Sequence, residues 1–182
     1  IVALFMIFCD FGLSSAISKY SAEYNNKKEV TNLLKSSLIV SLALSFFIGI
    51  IIILFGKIIT GDNMLFYFIP YAFFYPITSI FDGYYRGIKK FKNMSIITII
   101  TGIVTIVSSF ILIQKYLFLG AIISHNLFFI LLTVSFFIIS RKIKAKFNKK
   151  IIKKIINYGF VIGLINGLYF LYTKADIIIL KY

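Results

Sequence analysis

The sequence predicts an all-α integral membrane protein built as a bundle of several membrane-spanning helices. Apolar residues make up 60% of the chain and charged residues only 14%, whereas soluble domains average about 45–50% and about 25%. Uncharged apolar runs long enough to cross about 30 Å of hydrocarbon recur along the chain. These runs lack the period-two alternation of barrel strands, which favours helices. With a single cysteine, internal disulfides and cysteine-based metal sites are excluded.

The apolar runs predict six spans. Five of them form one bundle over residues 1–140, at about 1–18, 36–56, 63–81, 93–114 and 116–140. The sixth occupies residues 158–182 and is expected to begin a second bundle. Because the chain opens with an isoleucine inside an apolar run and ends without a polar tail, we expect it to be a fragment of a longer protein.

The basic residues between the spans predict their orientation. Successive connections carry 4, 1, 4, 1 and 8 Lys or Arg residues. Connections rich in Lys and Arg stay on the cytoplasmic side, so segments 19–35, 82–92 and 141–157 are predicted to be cytoplasmic loops of a multi-pass protein of the cytoplasmic membrane. Contact with anionic inner-leaflet lipid then accounts for the net charge of +14. Nucleic acid is therefore not an expected partner.

The last basic connection has a helical pattern of its own. Within 141–157, apolar side chains recur every four residues at Ile143, Phe147, Ile151 and Ile155, and lysines fill the opposite face. This pattern is typical of a basic amphipathic helix on the cytoplasmic surface of a membrane. Such a helix serves either as a topology anchor or as a mechanical linker between two bundles.

Small residues at four-residue spacing predict where helices pack closely. In lipid, helices associate through close packing, which small residues at positions i and i+4 permit. Glycines also allow a helix to bend or slide, and the two interpretations are compatible. Three such patterns occur: Gly12 with Ala16, Gly83 with Gly87, and Gly159 with Gly163 and Gly167.

Asp10 is an acid inside the first predicted span. Asp10-Phe11-Gly12 matches the metal-binding triplet of protein kinases, but the chain lacks the other kinase motifs and is too apolar for that class. Nine residues separate Asp10 from Lys19, which places it roughly 13 Å into the bilayer. Because an acid facing lipid at such depth costs about 2.5–3.5 kcal/mol, we expect Asp10 to face protein or water. It is either a functional group or part of a structural hydrogen bond.

Other charged residues suggest ion pairing and a polar cavity, but no catalysis. Asp82 and Arg86 stand four residues apart at the inner end of the third span, which predicts a helical ion pair. Lys174 and Asp176 lie towards the outer end of the last span, and at least one of them is expected to line a cavity. No paired-carboxylate, nucleotide-loop or histidine-rich metal motif occurs, so we predict a protein that is not an enzyme and needs no cofactor or metal.

Three stretches resemble prokaryotic polysaccharide biosynthesis (Wzx-type) flippases, which belong to the superfamily of multidrug (MATE) exporters and lipid flippases. FGLSSAISKYSAEY at 11–24 resembles the second span and the loop after it, FDGYYRGIKKFKNMSI at 81–96 resembles the fourth-to-fifth span junction, and YTKADIIILKY at 172–182 is similar to the seventh span. Asp176 matches an acid of that last segment, whereas Asp10 stands where the family pattern has an apolar or small residue. The resemblance covers nearly the whole chain and implies spans two to seven, in two bundles around a central cavity.

The resemblance implies a transporter that flips lipid-linked oligosaccharide or polysaccharide precursors by alternating access. A cavity lined by Lys and Arg would attract the phosphate of such a substrate, which makes Lys19, Arg86 and Lys174 candidates for phosphate contact, with interface anchoring as the alternative. Asp10 and Asp176 are further cavity candidates, and H⁺ or Na⁺ is a candidate coupling ion.

Three other functions stay open. A cation-coupled exporter of drugs or small molecules has the same expected fold and would use Asp10 as its ion site. A membrane-embedded glycan polymerase or glycosyltransferase needs an acidic or arginine cluster in a large outer loop, and the outer turns here are short. A purely structural membrane subunit would tolerate the loss of every intramembrane charge.

Overall fold

The protein folds into helices throughout the described part of the chain. The computed structural model describes residues 10–60, 64–140 and 146–180, without the side chains of 59, 60 and 174–180. These ranges contain no strand, which confirms the predicted all-α class. The helices are α1 (Leu13–Glu23), α2 (Lys27–Thr60), a short 3-10 helix (Met64–Phe68), α3 (Ile69–Gly87), α4 (Phe91–Ser140) and α5 (Lys149–Leu180). Most of the first predicted span, residues 1–9, lies outside the described residues.

Helix α4 consists of two arms. Its 50 residues would measure about 75 Å if straight, far more than a bilayer needs, but Leu117 has non-helical angles (φ 51°, ψ −124°). A Cβ atom added to Gly120 would overlap the carbonyl oxygen of Leu112, so the chain folds back on itself there. The two arms coincide with the predicted spans at 93–114 and 116–140.

Within the described residues, four helices are long and apolar enough to cross a membrane: Lys27–Ile58, Met64–Gly87, Phe91–Ser140 and Lys149–Thr173. Most of the large apolar side chains on α2 and on the first arm of α4 are exposed, as expected of surfaces that face lipid. The count of six spans stays a prediction, because most of the first span is not described.

Neighbouring helices along the chain run in opposite directions. The Ser45 hydroxyl of α2 donates to the Phe73 carbonyl of α3, and Gly56 lies against Leu65; these pairs place α2 antiparallel to α3. The second arm of α4 runs parallel to α3, with hydrogen bonds from Asn126 to Tyr67 (2.7 Å), between Thr78 and Thr133 (2.8 Å) and between Tyr85 and Ser140 (3.4 Å). This alternation is what the predicted orientation of the basic segments requires.

The core lies around α3, which packs against α1, α2 and the second arm of α4. Ile17, Ile80 and Phe81 are completely buried there, and Phe136 of α4 stacks on Phe81 with ring centroids 5.4 Å apart. Helix α5 joins this core through Ile155, which is also completely buried. Helix α3 is therefore the central element around which the others pack.

The predicted cytoplasmic loops 19–35 and 82–92 are mostly helical. Only residues 24–26 and 88–90 interrupt the helices there. The Asn26 side chain accepts a hydrogen bond from the Lys28 amide (2.9 Å), so α2 can begin well before its apolar run. Hydropathy marks the apolar part of a helix, whereas the helix itself extends into its charged ends.

Segment 141–157 also differs from the predicted separate helix. Residues 141–145 lie outside the described residues, 146–148 are not helical, and α5 then continues without a break past residue 157. Ile151 and Ile155 are buried against the bundle, whereas Phe147 is exposed, so only the later part of the predicted apolar face packs on protein. The buried residues at the start of α5 pack on the same bundle as the apolar segment that follows. The two parts therefore form one continuous helix.

Candidate functional site

The polypeptide breaks its helical path at Phe11 and Gly12. Both residues have positive φ angles (43° and 73°), whereas Asp10 before them and Leu13 after them are helical. A break exposes backbone amides that need partners, and the Asp10 carboxylate accepts a hydrogen bond from the Ser14 amide (3.2 Å). Broken helices inside membranes occur where the backbone is buried in protein or lines a cavity. The break therefore marks this part of the predicted first span as a candidate site.

A polar network ties this break to α3. The Ser79 hydroxyl donates to the Asp10 carboxylate (2.8 Å). Two turns further along α3, Arg86 donates to the Ser14 hydroxyl (2.7 Å) and pairs with Asp82 (2.8 Å). The predicted ion pair of Asp82 and Arg86 is thus present, and it extends into a network that reaches α1.

Two glycines allow α1 and α3 to lie this close. A Cβ atom on Gly83 would overlap the Ser14 carbonyl oxygen, and one on Gly87 would lie 2.6 Å from the Ser18 carbonyl oxygen. Side chains at these two positions would push the helices apart and separate Arg86 from Ser14. The small-residue pattern on α3 therefore packs as predicted, with α1 as its partner.

Glycines also bring α5 against the break. A Cβ atom on Gly12 would lie 2.5 Å from the Gly159 carbonyl oxygen, and one on Gly163 would lie 3.0 Å from the Phe11 carbonyl oxygen. In contrast, a Cβ atom on Gly167 would meet nothing within 4 Å among the described residues. The described residues thus show close packing at Gly159 and Gly163, and the packing role of Gly167 stays a prediction.

Cations and aromatic rings close the inner end of the contact between α1 and α5. Tyr20 and Tyr158 meet edge to face with ring centroids 5.7 Å apart. The Lys19 ammonium lies 4.3 Å from the centre of the Tyr158 ring, and the Lys154 ammonium lies 4.5 Å from that of Tyr20. Contacts of this kind contribute about 0.5–1 kcal/mol each at exposed sites. Together they form an inner closure, a name used below for Lys19, Tyr20, Lys154 and Tyr158.

A cavity of about 300 Å³ opens beyond the glycine contacts. It lies between the helix break, α3 and α5. Its lining combines one carboxylate with an amide, a hydroxyl and several aromatic rings, and no basic residue among the described side chains lines it. The lining residues are Asp10, Gly12, Tyr75, Asn166, Tyr169, Phe170 and Thr173.

The predicted site residues separate into three groups. Asp10 lines the cavity, as expected of an intramembrane acid that avoids lipid. Lys19 is part of the inner closure, and Arg86 is held by Asp82 and Ser14; neither lines the cavity. Lys174 and Asp176 lie on α5, but their side chains are outside the described part of the structure.

Sequence reasoning missed most of the cavity wall. Tyr75, Asn166, Phe170 and Thr173 were not among the predicted site residues, although all four line the cavity. Asn166 carried a usable signal, because an amide inside an apolar span is costly unless it faces protein or water. Tyr75 and Phe170 carried none, since aromatic residues are equally common on lipid-facing surfaces.

Comparison with known proteins gives one positive result. A family model described as "Polysaccharide biosynthesis protein" matches residues 1–182, the full length of the chain. Neither the curated proteins nor the solved structures give a match. In the described residues, no group of three or more His, Cys, Asp or Glu side chains is placed to hold a metal ion.

Proposed function

This chain belongs to the polysaccharide biosynthesis protein family, and we propose that it forms part of a transporter that flips lipid-linked oligosaccharide or polysaccharide precursors across the cytoplasmic membrane. The family and the apolar helices support a flippase-like membrane transporter. We further propose six spans, with their basic ends in the cytoplasm, as spans two to seven of a longer protein. The transporter performs no covalent chemistry in this proposal.

The chemistry of the cavity carries the proposal. Sugars present hydroxyl groups that carboxylates, amides and hydroxyls bind, and apolar C–H faces that pack on aromatic rings. Asp10, Asn166 and Thr173 supply the first kind of group, and Tyr75, Tyr169 and Phe170 supply the second. A cavity of about 300 Å³ suits a site that holds part of a glycan while the lipid tail stays in the membrane.

Alternating access fits the contrast between the two ends of the α1–α5 contact. The inner closure and the glycine contacts seal the end with the basic residues, while the cavity lies beyond them. In this proposal the arrangement corresponds to a state closed to the cytoplasm. Opening to the cytoplasm would separate Lys19 and Lys154 from their aromatic partners and free both cations to meet a phosphate.

The phosphate contacts of the substrate are proposed to lie at the inner ends of the helices. Lys19 and Arg86 are there and already have partners, so they would exchange these partners for the substrate phosphate. Lys174 is retained as a candidate at the outer end, together with Asp176, and H⁺ or Na⁺ as a candidate coupling ion. Membrane lipid is the remaining proposed partner.

Transport by the full-length protein in liposomes tests this function. The assay follows a fluorescent lipid-diphosphate sugar from one leaflet to the other. We expect Asn166→Ala to lower the rate by about tenfold, the effect of one lost hydrogen bond to substrate in a partly dry cavity. Asn157→Ala is the matched control, because Asn157 is an exposed amide on the same helix that does not line the cavity.

One observation favours a second candidate, a cation-coupled exporter of small molecules. The only charged side chain among the described residues of the cavity wall is an acid, Asp10, which suits a cationic substrate or ion. In this case the wild-type protein moves no lipid-linked sugar and exports a cationic dye, and Asp10→Asn abolishes the export. Sugar transport that survives Asp10→Asn and fails in Asn166→Ala supports the flippase.

A further inference from the structure

A second cavity, of about 380 Å³, lies at the inner ends of the helices. It forms where the connection between α1 and α2 meets the turn between α3 and α4. We call it the inner pocket, and it is separate from the transport cavity because the two share no lining residue. The inner pocket is lined by Ser21, Tyr24, Asn25, Lys27, Val30, Thr31, Tyr84, Ile88 and Lys90.

The charges around the inner pocket are positive. Its wall contains two lysines, Lys27 and Lys90, and no acid among the described residues. Lys154 lies nearby, with its ammonium 5.4 Å from the centre of the Tyr24 ring. Glu23, the last residue of α1, pairs with Lys19, whose ammonium lies 3.8 Å from the Glu23 carboxylate. Glu29, in the first turn of α2, is also near in sequence, but neither it nor Glu23 lines the pocket, so the charge of the pocket wall itself is positive.

Backbone groups add to this charge. Helix α2 begins at Lys27 in the pocket wall and runs for 34 residues. The positive end of a helix dipole, with its unpaired amides, favours anions. Asn26 already accepts hydrogen bonds from the Lys28 amide through its side chain (2.9 Å) and from the Glu29 and Val30 amides through its carbonyl, so the helix terminus alone does not establish a site.

Ser21 provides an independent observation. Its side chain is 96% buried, since only 4% of the residue is exposed, and it lines the inner pocket. Its hydroxyl has no hydrogen-bond partner. The buried Ser37 and Ser124 hydroxyls bond to the carbonyl four residues earlier, whereas Ser41 resembles Ser21 in having no partner but lines neither cavity. A buried hydroxyl that lacks this bond and faces a cationic pocket is available to donate to an anion.

We propose that the inner pocket binds a phosphate group at the cytoplasmic surface of the membrane. Lys27 and Lys90 supply the charge, the Ser21 hydroxyl donates a hydrogen bond, and the Tyr24 and Tyr84 hydroxyls lie in the same wall. The phosphate comes from an anionic lipid headgroup or from a soluble diphosphate, which have this chemistry in common. The site goes beyond the proposed transport function, and its binding does not depend on which substrate is moved.

Binding to the full-length protein in phosphatidylcholine nanodiscs tests the site without any transport step. One arm titrates dioctanoyl phosphatidylglycerol and the other titrates inorganic diphosphate at constant ionic strength. Affinity is read by thermophoresis. Binding in the first arm identifies a lipid headgroup as the source of the phosphate, and binding in the second identifies a soluble phosphate; either supports the proposal. Absence of binding in both overturns it.

Two sets of variants distinguish the pocket from general surface attraction. Lys27→Gln with Lys90→Gln is expected to weaken binding by about tenfold or more, the effect of losing two charge-assisted contacts. The matched control is Lys28→Gln with Lys89→Gln, which removes the same charge from neighbours outside the pocket wall. Equal loss in both pairs would overturn the site, because non-specific electrostatics then explains the binding.

Ser21→Ala provides the sharpest variant. Because the hydroxyl has no partner in the structure, its removal is expected to leave the thermal unfolding midpoint of the unliganded protein unchanged. Phosphate affinity is expected to fall by about fivefold to tenfold, as for one hydrogen bond to a charged group. Unchanged affinity in a folded Ser21→Ala protein would contradict the assignment of this hydroxyl to the ligand.

Discussion

The inner and outer halves of the contact between α1 and α5 use the same glycine spacing with opposite results. In the inner half, Gly159 and Gly163 lie against Phe11 and Gly12 so closely that an added Cβ would meet backbone atoms. In the outer half, Gly167 continues the spacing and meets no described atom within 4 Å. Among the described residues, the same glycine spacing therefore accompanies a close contact in one half and none in the other. The partner surface determines whether the helices touch or leave a cavity.

The largest expected loss of stability comes from disrupting the close contact in the inner half. Gly12→Leu would force a side chain at a positive φ angle against the backbone of α5, and we expect a loss of about 3 kcal/mol or more in stability. The thermal unfolding midpoint of the purified full-length protein measures this. Gly102→Leu is the control, since a Cβ there meets nothing within 4 Å; an equal loss in both variants would contradict the close packing.

The second effect concerns the acid at the helix break. Asp10→Ala removes the acceptor for the Ser14 amide and the Ser79 hydroxyl, which should cost about 1–3 kcal/mol because both donors are left unpaired. Asp10→Asn keeps one acceptor oxygen and should cost less. Unfolding midpoints of the two variants, measured side by side, decide this. If alanine and asparagine are equally tolerated, Asp10 does not hold the break.

The third effect compares the two halves within one helix. Gly167→Ala should stabilise α5 by up to about 1 kcal/mol, because alanine is the better helix former and the added Cβ meets no described atom within 4 Å. Gly163→Ala gains the same propensity but lies 3.0 Å from the Phe11 carbonyl oxygen, so its net effect should be neutral or destabilising. Each variant is the control for the other in thermal unfolding. Equal stabilisation by both would show that the inner contact is loose.

The smallest expected effect is the ion pair on α3. Arg86 and Asp82 lie 2.8 Å apart, but their side chains are 43% and 35% exposed. A double-mutant cycle with Arg86→Gln and Asp82→Asn should give a coupling below about 1 kcal/mol. A much larger coupling would mean that the pair is buried in the membrane state, and the inner half would then depend on charge as well as on glycine packing.

Much of the helical layout follows from the sequence, because the signals for it are local. Apolar runs locate the long helices, and residues four apart on a helix must be neighbours, as Asp82 and Arg86 are. Helix ends were less predictable. Asn26 starts α2 inside a charged segment where hydropathy gives no signal, and the shared packing surface of Ile151 and Ile155 merges the predicted linker with α5.

The sequence by itself determined the helical class, and it predicts that basic ends alternate and that an acid lies inside a span. These follow from composition and from the cost of placing charge in hydrocarbon. Only the tertiary structure decided that Asp10 bonds to Ser14 and Ser79, that Lys19 closes the inner end and that Asn166 lines a cavity. The physical reason is that a cavity wall depends on where several distant helices touch and part, and such contacts leave no local pattern in the chain.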